Sequence, residues 1–178
     1  MIALDPDAAV SGDTGHDLVP QERRESERLI AYWEREAAQL GSIPTLSAFD
    51  LNKIDTDEWS HRFVVTVDLV AENSSLLMYG KHFARLLDQS QALIPNVPLI
   101  HQVPAHFLDV FMRGCHDVYK HDVPVPVMVD GEIKHEDGRR EFYRAAFVPV
   151  EIKPNSLTRL ILGTFDFLDR QEMIQPTA

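Results

Sequence analysis

Cysteine, basic residues and long apolar runs are all scarce in this chain of 178 residues. The single cysteine, Cys115, has no partner for an internal disulfide, which favours a reducing compartment and makes the cytoplasm the expected location. The 17 basic residues against 28 acidic ones give a net charge of −11 and no basic stripe for nucleic acid. No apolar run approaches the roughly 20 residues of a membrane span, so we expect neither a span nor a signal peptide.

The length and the apolar content predict one domain with tails. Hydrophobic residues make up 44% of the chain, which is enough to form a core without a metal ion or disulfides. Residues 1–20 contain four aspartates and no lysine or arginine, and we expect them to form a disordered acidic arm. The other predicted boundaries are an N-terminal helix with a connector over 21–57, a domain over 58–170 and a tail over 171–178.

Hydrophobic periodicity predicts an α+β domain. Leu29, Trp33, Ala37 and Leu40 recur at helical spacing, and Gly41 ends that first helix. The remaining predicted elements are a strand over 62–70, a short strand over 76–79, a short helix over 82–87, a long helix over 107–119 and three strands over 123–135, 140–152 and 158–168. Short turns between the strands favour antiparallel pairing into one sheet, with helices packed on one face.

Short motifs in a fixed order make the chain resemble PAS sensory domains, in particular the small bacterial PAS proteins whose first helix carries Tyr-Trp. The motifs are Ala31-Tyr32-Trp33, Gly41 with Pro44 and Phe49-Asp50, Tyr79-Gly80 before Leu86-Leu87, Phe142-Tyr143-Arg144 before Val148-Pro149-Val150, and Leu162-Gly163-Thr164. The resemblance covers about residues 25–170. It implies a five-stranded antiparallel sheet in the order 2-1-5-4-3, helices on one face with a cavity beneath them, and an N-terminal helix outside the core.

The resemblance also implies a function, that of a non-enzymatic sensor or signalling module. Such a module acts through dimerisation, small-ligand occupancy or a partner protein. We find no kinase, cyclase or DNA-binding segment after Leu168, so we expect the output to act through another chain. The alternative is a small α+β enzyme, of isomerase or hydrolase type, with a pocket histidine and a carboxylate. The sequence disfavours it, because no acid–base pair or nucleophile arrangement stands out.

A cavity between the long helix and the last two strands is the candidate ligand site. Tyr143, Ala145 and Phe147 share one face of their strand by its period of two, whereas Arg144 points to the other face. A small, mostly apolar ligand would suit such a cavity, and an aromatic core that fills the space is the alternative. The predicted lining consists of the polar Arg85, His106 and Tyr143 and the aromatic Phe107, Phe111, Phe147 and Phe165.

Cofactor motifs give no positive prediction. His106 is the best haem candidate, because it lies near the start of the long helix, but an exposed imidazole is the simpler interpretation. Cys115 lies in Arg113-Gly114-Cys115-His116, which differs from the Asn-Cys-Arg-Phe-Leu-Gln motif of flavin-binding light sensors. We expect a buried structural thiol there.

Metal and carboxylate motifs are equally weak. His101 and His106 are five residues apart, as are His116 and His121, so neither pair has the i, i+4 spacing that places two imidazoles on one helix face. We therefore predict no metal site. Asp166 and Asp169 are expected to lie at a charged, solvated edge, since their spacing suggests no shared site.

The opening helix is predicted to pair with its copy in a homodimer. Leu29, Trp33, Ala37 and Leu40 form an apolar stripe, and Ile30 broadens it beyond what one contact with its own domain needs. An apolar face that its own domain leaves open is most simply covered by a two-fold partner. The alternative is that the stripe covers the open face of its own sheet.

Overall fold

One antiparallel sheet of five strands organises the chain, in the order β2-β1-β5-β4-β3. The computed structural model describes residues 23–50, 59–68, 70, 73–87, 97–135 and 137–168. The strands are β1 (Arg62–Val67), β2 (Ser75–Tyr79), β3 (Val127–Lys134), β4 (Arg140–Val150) and β5 (Arg159–Leu168). The helices are α1 (Arg23–Leu40), α2 (Lys81–Leu86), α3 (Leu99–Gln102) and α4 (Ala105–Val118), with a 3₁₀ helix over Leu46–Phe49. The predicted α+β class and strand order are confirmed.

The pairing of the strands places the last strand in the centre. β1 and β2 form the predicted hairpin, and β3, β4 and β5 form the predicted meander. β1 also pairs with β5 along its whole length, from Arg62 opposite Thr164 to Val67 opposite Arg159. Because β5 has a neighbour on each side and packed side chains on both faces, residues Leu160 to Asp166 are all buried.

Helices α2, α3 and α4 cover one face of the sheet, which we call the inner face. Phe63 of β1, Phe111 of α4 and Phe165 of β5 are among the fully buried residues of the large apolar cluster between them. Tyr143, Ala145 and Phe147 belong to the same cluster, whereas the guanidinium of Arg144 lies 3.6 Å from Glu27 of α1. The predicted alternation along β4 is therefore confirmed.

Helix α1 covers the opposite, outer face of the sheet. A second apolar cluster lies there and includes Leu29 and Trp33 of α1, together with residues of β1, β4 and β5. The indole Nε1 of Trp33 donates a hydrogen bond to the Pro149 carbonyl at 2.5 Å. The buried hydroxyls of Ser26 and Thr164 are hydrogen-bonded at 3.0 Å. Apolar packing and specific polar contacts together fix α1 on the sheet.

This packing corrects the prediction that the apolar stripe of α1 faces a second copy. Leu29 is 1% exposed and Trp33 9%, and Ile30 and Ala37 pack against the same cluster, while Leu40 is 57% exposed. The sheet has apolar residues on both faces, so its outer face must be covered, and the stripe covers it within the chain. A homodimer stays a prediction, and Leu29 and Trp33 are not available for its interface.

Several element boundaries differ from the predictions for local reasons. β3 begins at Val127 rather than at 123, because Pro124 and Pro126 have no N–H to donate to a ladder. β1 ends at Val67 rather than at 70, since the Asp68 carboxylate accepts the Val70 N–H at 3.0 Å and closes a turn. The one-turn helix α3 was not predicted. The predicted acidic arm, most of the connector and the tail lie outside the described residues.

Candidate functional site

The predicted cavity residues meet between α4 and the sheet, but they meet as a packed aromatic core. The Phe111 ring lies 5.0 Å from that of Phe63 and 6.2 Å from those of Phe147 and Phe165, between centroids. Phe107 and Tyr143 lie 5.5 and 5.2 Å from Phe165. These are the distances of rings in contact. Among the described residues, the alternative of a filled core is the one that the structure supports.

Two polar residues predicted for the cavity are not part of this core. His106 is exposed, because a helix turns by about 100° per residue and its neighbour Phe107 faces the sheet. The His106 ring lies 5.4 Å from that of His135, whose Nε2 is 2.8 Å from the Glu141 carboxylate. The arrangement does not fit a haem bound through His106 inside the domain. Arg85 belongs to α2, and its side chain lies outside the described part of the structure.

Cys115 is a buried thiol at the centre of α4. It is 1% exposed, and burial raises the pKa of the thiol to about 12. A thiol with such a pKa stays protonated at neutral pH and is a poor nucleophile. This result agrees with the prediction of a structural cysteine, and it does not fit the reactive cysteine of a flavin-binding light sensor.

The strongest polar constellation in the described residues comprises His61, His82 and Asp166, which we call the HHD cluster. One ligand atom from each of the three side chains lies within 4.8 Å of the other two. His61 Nδ1 contacts Asp166 Oδ1, and the rings of His61 and His82 are 3.9 Å apart between centroids. Asp166 is 3% exposed, while both histidines are half-buried. The cluster thus combines a buried carboxylate with two imidazoles that water can reach.

Backbone hydrogen bonds bring the three residues of the HHD cluster together. The Phe165 N–H donates to the His61 carbonyl at 3.3 Å, which ties the start of β1 to the end of β5. The His82 N–H donates to the Ser60 carbonyl at 2.9 Å, which ties the first turn of α2 to the same segment. A Cβ at Gly80 would overlap the Trp59 carbonyl, so only glycine allows the chain to pass this closely.

The buried position of Asp166 corrects the prediction of a solvated edge. β5 is a central strand, and so its side chains are covered even near its end. Neither carboxylate oxygen of Asp166 accepts a hydrogen bond from the described residues. Asp169 lies outside the described residues. A buried carboxylate without hydrogen-bond donors is costly and requires positive charge nearby.

Arg144 is the cationic residue placed opposite Asp166 on the neighbouring strand. The two are paired in the register of β4 and β5, so their side chains leave the same face of the sheet. The Arg144 guanidinium also donates two hydrogen bonds of 2.7 Å to the Asp130 carboxylate, and it lies 3.6 Å from Glu27 of α1. A row of charged side chains therefore runs across the outer face from α1 and β3 to the HHD cluster.

Sequence spacing missed this cluster because its members come from three separate elements. His61 precedes β1, His82 lies in the first turn of α2, and Asp166 is near the end of β5. The one available signal was the hairpin. His61 and His82 flank the open end of β1 and β2, and a paired hairpin brings its two open ends together.

Comparison with known proteins found similar solved structures only. No family model and no curated protein matches the chain. A PAS domain from Colwellia psychrerythraea is 16% identical, with 66% of this chain and 92% of that chain covered and a TM-score of 0.42. The PAS domain of Bordetella pertussis BvgS is 14% identical, covering 77% and 92%, with a TM-score of 0.45. The light-state structure of the Aureochrome1 LOV photoreceptor is 13% identical, covering 64% and 85%, with a TM-score of 0.40.

The fold is that of PAS domains. The sheet order β2-β1-β5-β4-β3 and the helices on its inner face are the arrangement that the sequence motifs implied. Helix α1 on the outer face lies outside that arrangement and encloses the second cluster. Within the described residues, no helix combines the length and the apolar character needed to cross a bilayer.

Proposed function

We propose that this chain is a non-enzymatic signalling module of the PAS type, whose output element is α1. The observation that carries the proposal is the charged row on the outer face. Glu27 of α1 contacts Arg144, and Arg144 stands opposite Asp166 of the HHD cluster. A change at the cluster can therefore be felt by the helix that covers the sheet, through two charged contacts.

The filled inner face supports an input at the HHD cluster rather than in the core. The rings of Phe63, Phe83 and Phe111 lie 4.7 to 5.7 Å apart between centroids. A small ligand would have to displace packed aromatic side chains to enter there, which costs several kcal/mol of lost contacts, on the order of ~3–5 for one ring. The cluster, by contrast, has half-buried imidazoles at the rim of the domain.

The attachment of α1 supports its role as the output element. Its buried side contains only a few large residues, chiefly Leu29 and Trp33, and Glu27 and Arg28 on the other side are exposed. A helix docked through a narrow stripe can detach as a unit without unfolding the sheet. Detachment would uncover the apolar outer face, which a second copy or another protein could then bind.

Hydrogen exchange of the full chain tests α1 as the output element. We expect amides of α1 to exchange through a partial opening, faster than those of β5, since β5 exchanges only when the sheet unfolds. Helix α4 is the matched control, because it has a similar length but packs on the inner face. Equal protection of α1, α4 and β5 would mean that α1 opens only with the whole domain, and the proposal would then be wrong.

One observation favours the second candidate function, a small hydrolase or isomerase. His61 contacts the buried Asp166 through Nδ1, an arrangement that orients an imidazole for general-base chemistry. Turnover of a simple ester by the purified chain, lost in His61→Ala and retained in His116→Ala, would support an enzyme. Equal background rates in all three proteins would favour the signalling module.

A further inference from the structure

We infer that His61, His82 and Asp166 bind one first-row divalent transition-metal ion, for which Zn²⁺ is the reference. Two imidazole nitrogens and one carboxylate oxygen converge within 4.8 Å of one another, from three elements that the backbone holds together. A bound ion with N and O ligands at about 2.0–2.2 Å needs its ligands closer than that limit, and rotations of the side chains can supply the difference.

The donor set selects the class of ion. Imidazole nitrogen suits zinc, copper, nickel, cobalt and iron, whereas calcium and magnesium prefer a shell made of oxygen atoms. Three protein ligands leave a fourth position for water or an exogenous ligand, as in zinc sites that are not purely structural. His61 is 24% exposed at its side chain, so an ion can reach the site from solvent.

The ligands are positioned before any ion binds. His61 and His82 are linked through the hydrogen bonds at Ser60 and Phe165 described above, and their rings already lie side by side, with a centroid distance of 3.9 Å. Little backbone ordering is then required on binding, which lowers the entropic cost of forming the site.

The charge at the site also favours a cation. The buried carboxylate of Asp166 accepts no hydrogen bond from the described residues, and a metal ion would supply the missing positive partner. Arg144, which stands opposite, would repel an ion if its charge were uncompensated. Its guanidinium is bound by both oxygens of Asp130 and lies near Glu27, so two carboxylates already offset its single charge.

Metal binding would give the proposed signalling module its input, and only this link rests on the proposed function. An ion that draws Asp166 toward the histidines weakens its attraction to Arg144. Arg144 could then interact more strongly with Asp130 and Glu27, which changes how firmly α1 is held. The binding of the ion itself does not depend on what α1 does.

Calorimetric titration of the full chain with ZnCl₂, after removal of bound metal with EDTA, tests the site. We expect one saturable site in the wild type. In His82→Ala and Asp166→Asn, the affinity should fall at least as much as the roughly 10–100-fold that loss of an outer-shell partner costs a metal site. His116→Ala is the matched control, because His116 is exposed on α4 and should leave the affinity unchanged.

Two measurements keep the test decisive if a variant is unstable. Far-UV circular dichroism identifies variants that fail to fold, and Co²⁺ absorption reports the ligands in the wild type directly. No saturable site in the wild type, or equal affinities in the wild type, His82→Ala and folded Asp166→Asn, would overturn the inference. Hydrogen exchange with and without zinc separates the two proposals. Zinc binding with unchanged exchange in α1 would retain the metal site and reject its link to signalling.

Discussion

Arg144 and Asp166 are paired directly across β4 and β5, and they join the two polar features of the outer face. Arg144 is bound to Asp130 on β3 and contacts α1 through Glu27, while Asp166 contacts His61. The buried end of this row is anionic, and the exposed end carries two further carboxylates. One guanidinium thus stabilises three carboxylates in two different environments.

Replacing Arg144 tests this relationship. Arg144→Met keeps most of the side-chain volume and removes the cation opposite Asp166. We expect a loss of about 2–4 kcal/mol in the free energy of unfolding, because a buried carboxylate would lose its partner. In an Asp166→Asn background the same substitution should cost much less. Urea unfolding of the four proteins gives the coupling energy, and equal costs in both backgrounds would contradict the pairing.

The contact between Gly114 and Phe147 gives a second prediction. A Cβ at Gly114 of α4 would overlap the Phe147 ring of β4. Gly114→Ala should therefore destabilise the protein by about 1–3 kcal/mol through overpacking, even though alanine favours a helix. Phe147→Ala should cost about 3–5 kcal/mol.

Combining the two substitutions should reverse the sign of the first. With the Phe147 ring removed, Gly114→Ala has space and gains helix propensity, so it should stabilise the Phe147→Ala variant by roughly 0.5–1 kcal/mol. Thermal or urea unfolding measures each step. If Gly114→Ala destabilised both backgrounds equally, the helix would not approach the strand as closely as described.

The sheet could be predicted from the sequence because local signals agree with the global fold. The alternation of Tyr143, Ala145 and Phe147 fixed the register of β4, and short turns fixed the meander. The position of α1 could not be derived in this way. The amphipathic pattern of Leu29 and Trp33 requires a cover but does not say whether the cover is its own sheet or another chain.

The candidate site shows a different limit of sequence patterns. A metal or catalytic motif is visible when its residues share one element, and His61, His82 and Asp166 share none. Only the pairing of β1 with both β2 and β5 brings them together. The solvation of Asp166 was wrongly predicted for the same reason, because central or edge position is a property of the whole sheet.

Two substitutions on α1 distinguish cover of its own sheet from an exposed interface. Trp33→Ala should cost about 3–5 kcal/mol, since the indole is buried and hydrogen-bonded to the Pro149 carbonyl. Leu40→Ala should change the stability by less than about 0.5 kcal/mol, because Leu40 is exposed. Urea unfolding measures both, and a similar cost for the two would contradict the packing of α1.

Light scattering with Leu40→Glu tests the predicted homodimer separately. If the exposed side of α1 forms its interface, the wild type should have the mass of two chains and the variant the mass of one, with the fold unchanged. Leu40→Ala is the control for loss of the side chain without a charge. A monomeric wild type at micromolar concentration would reject the dimer.

The buried thiol of Cys115 makes the stability depend on alkaline pH. Burial raises its pKa from 9.0 to about 12 in the folded chain, so the folded state keeps a proton that the unfolded state releases above pH 9. Rising pH therefore favours unfolding between about pH 9 and 12, by up to roughly 1.4 kcal/mol per pH unit, and this contribution is constant below pH 8. The measurement is the difference in unfolding free energy between the wild type and Cys115→Ala as a function of pH. Groups shared by both proteins, such as Tyr119 with its raised pKa, largely cancel in this difference. The two curves should converge as the pH rises, and parallel curves would mean that the thiol ionises as readily in the folded state as in the unfolded one.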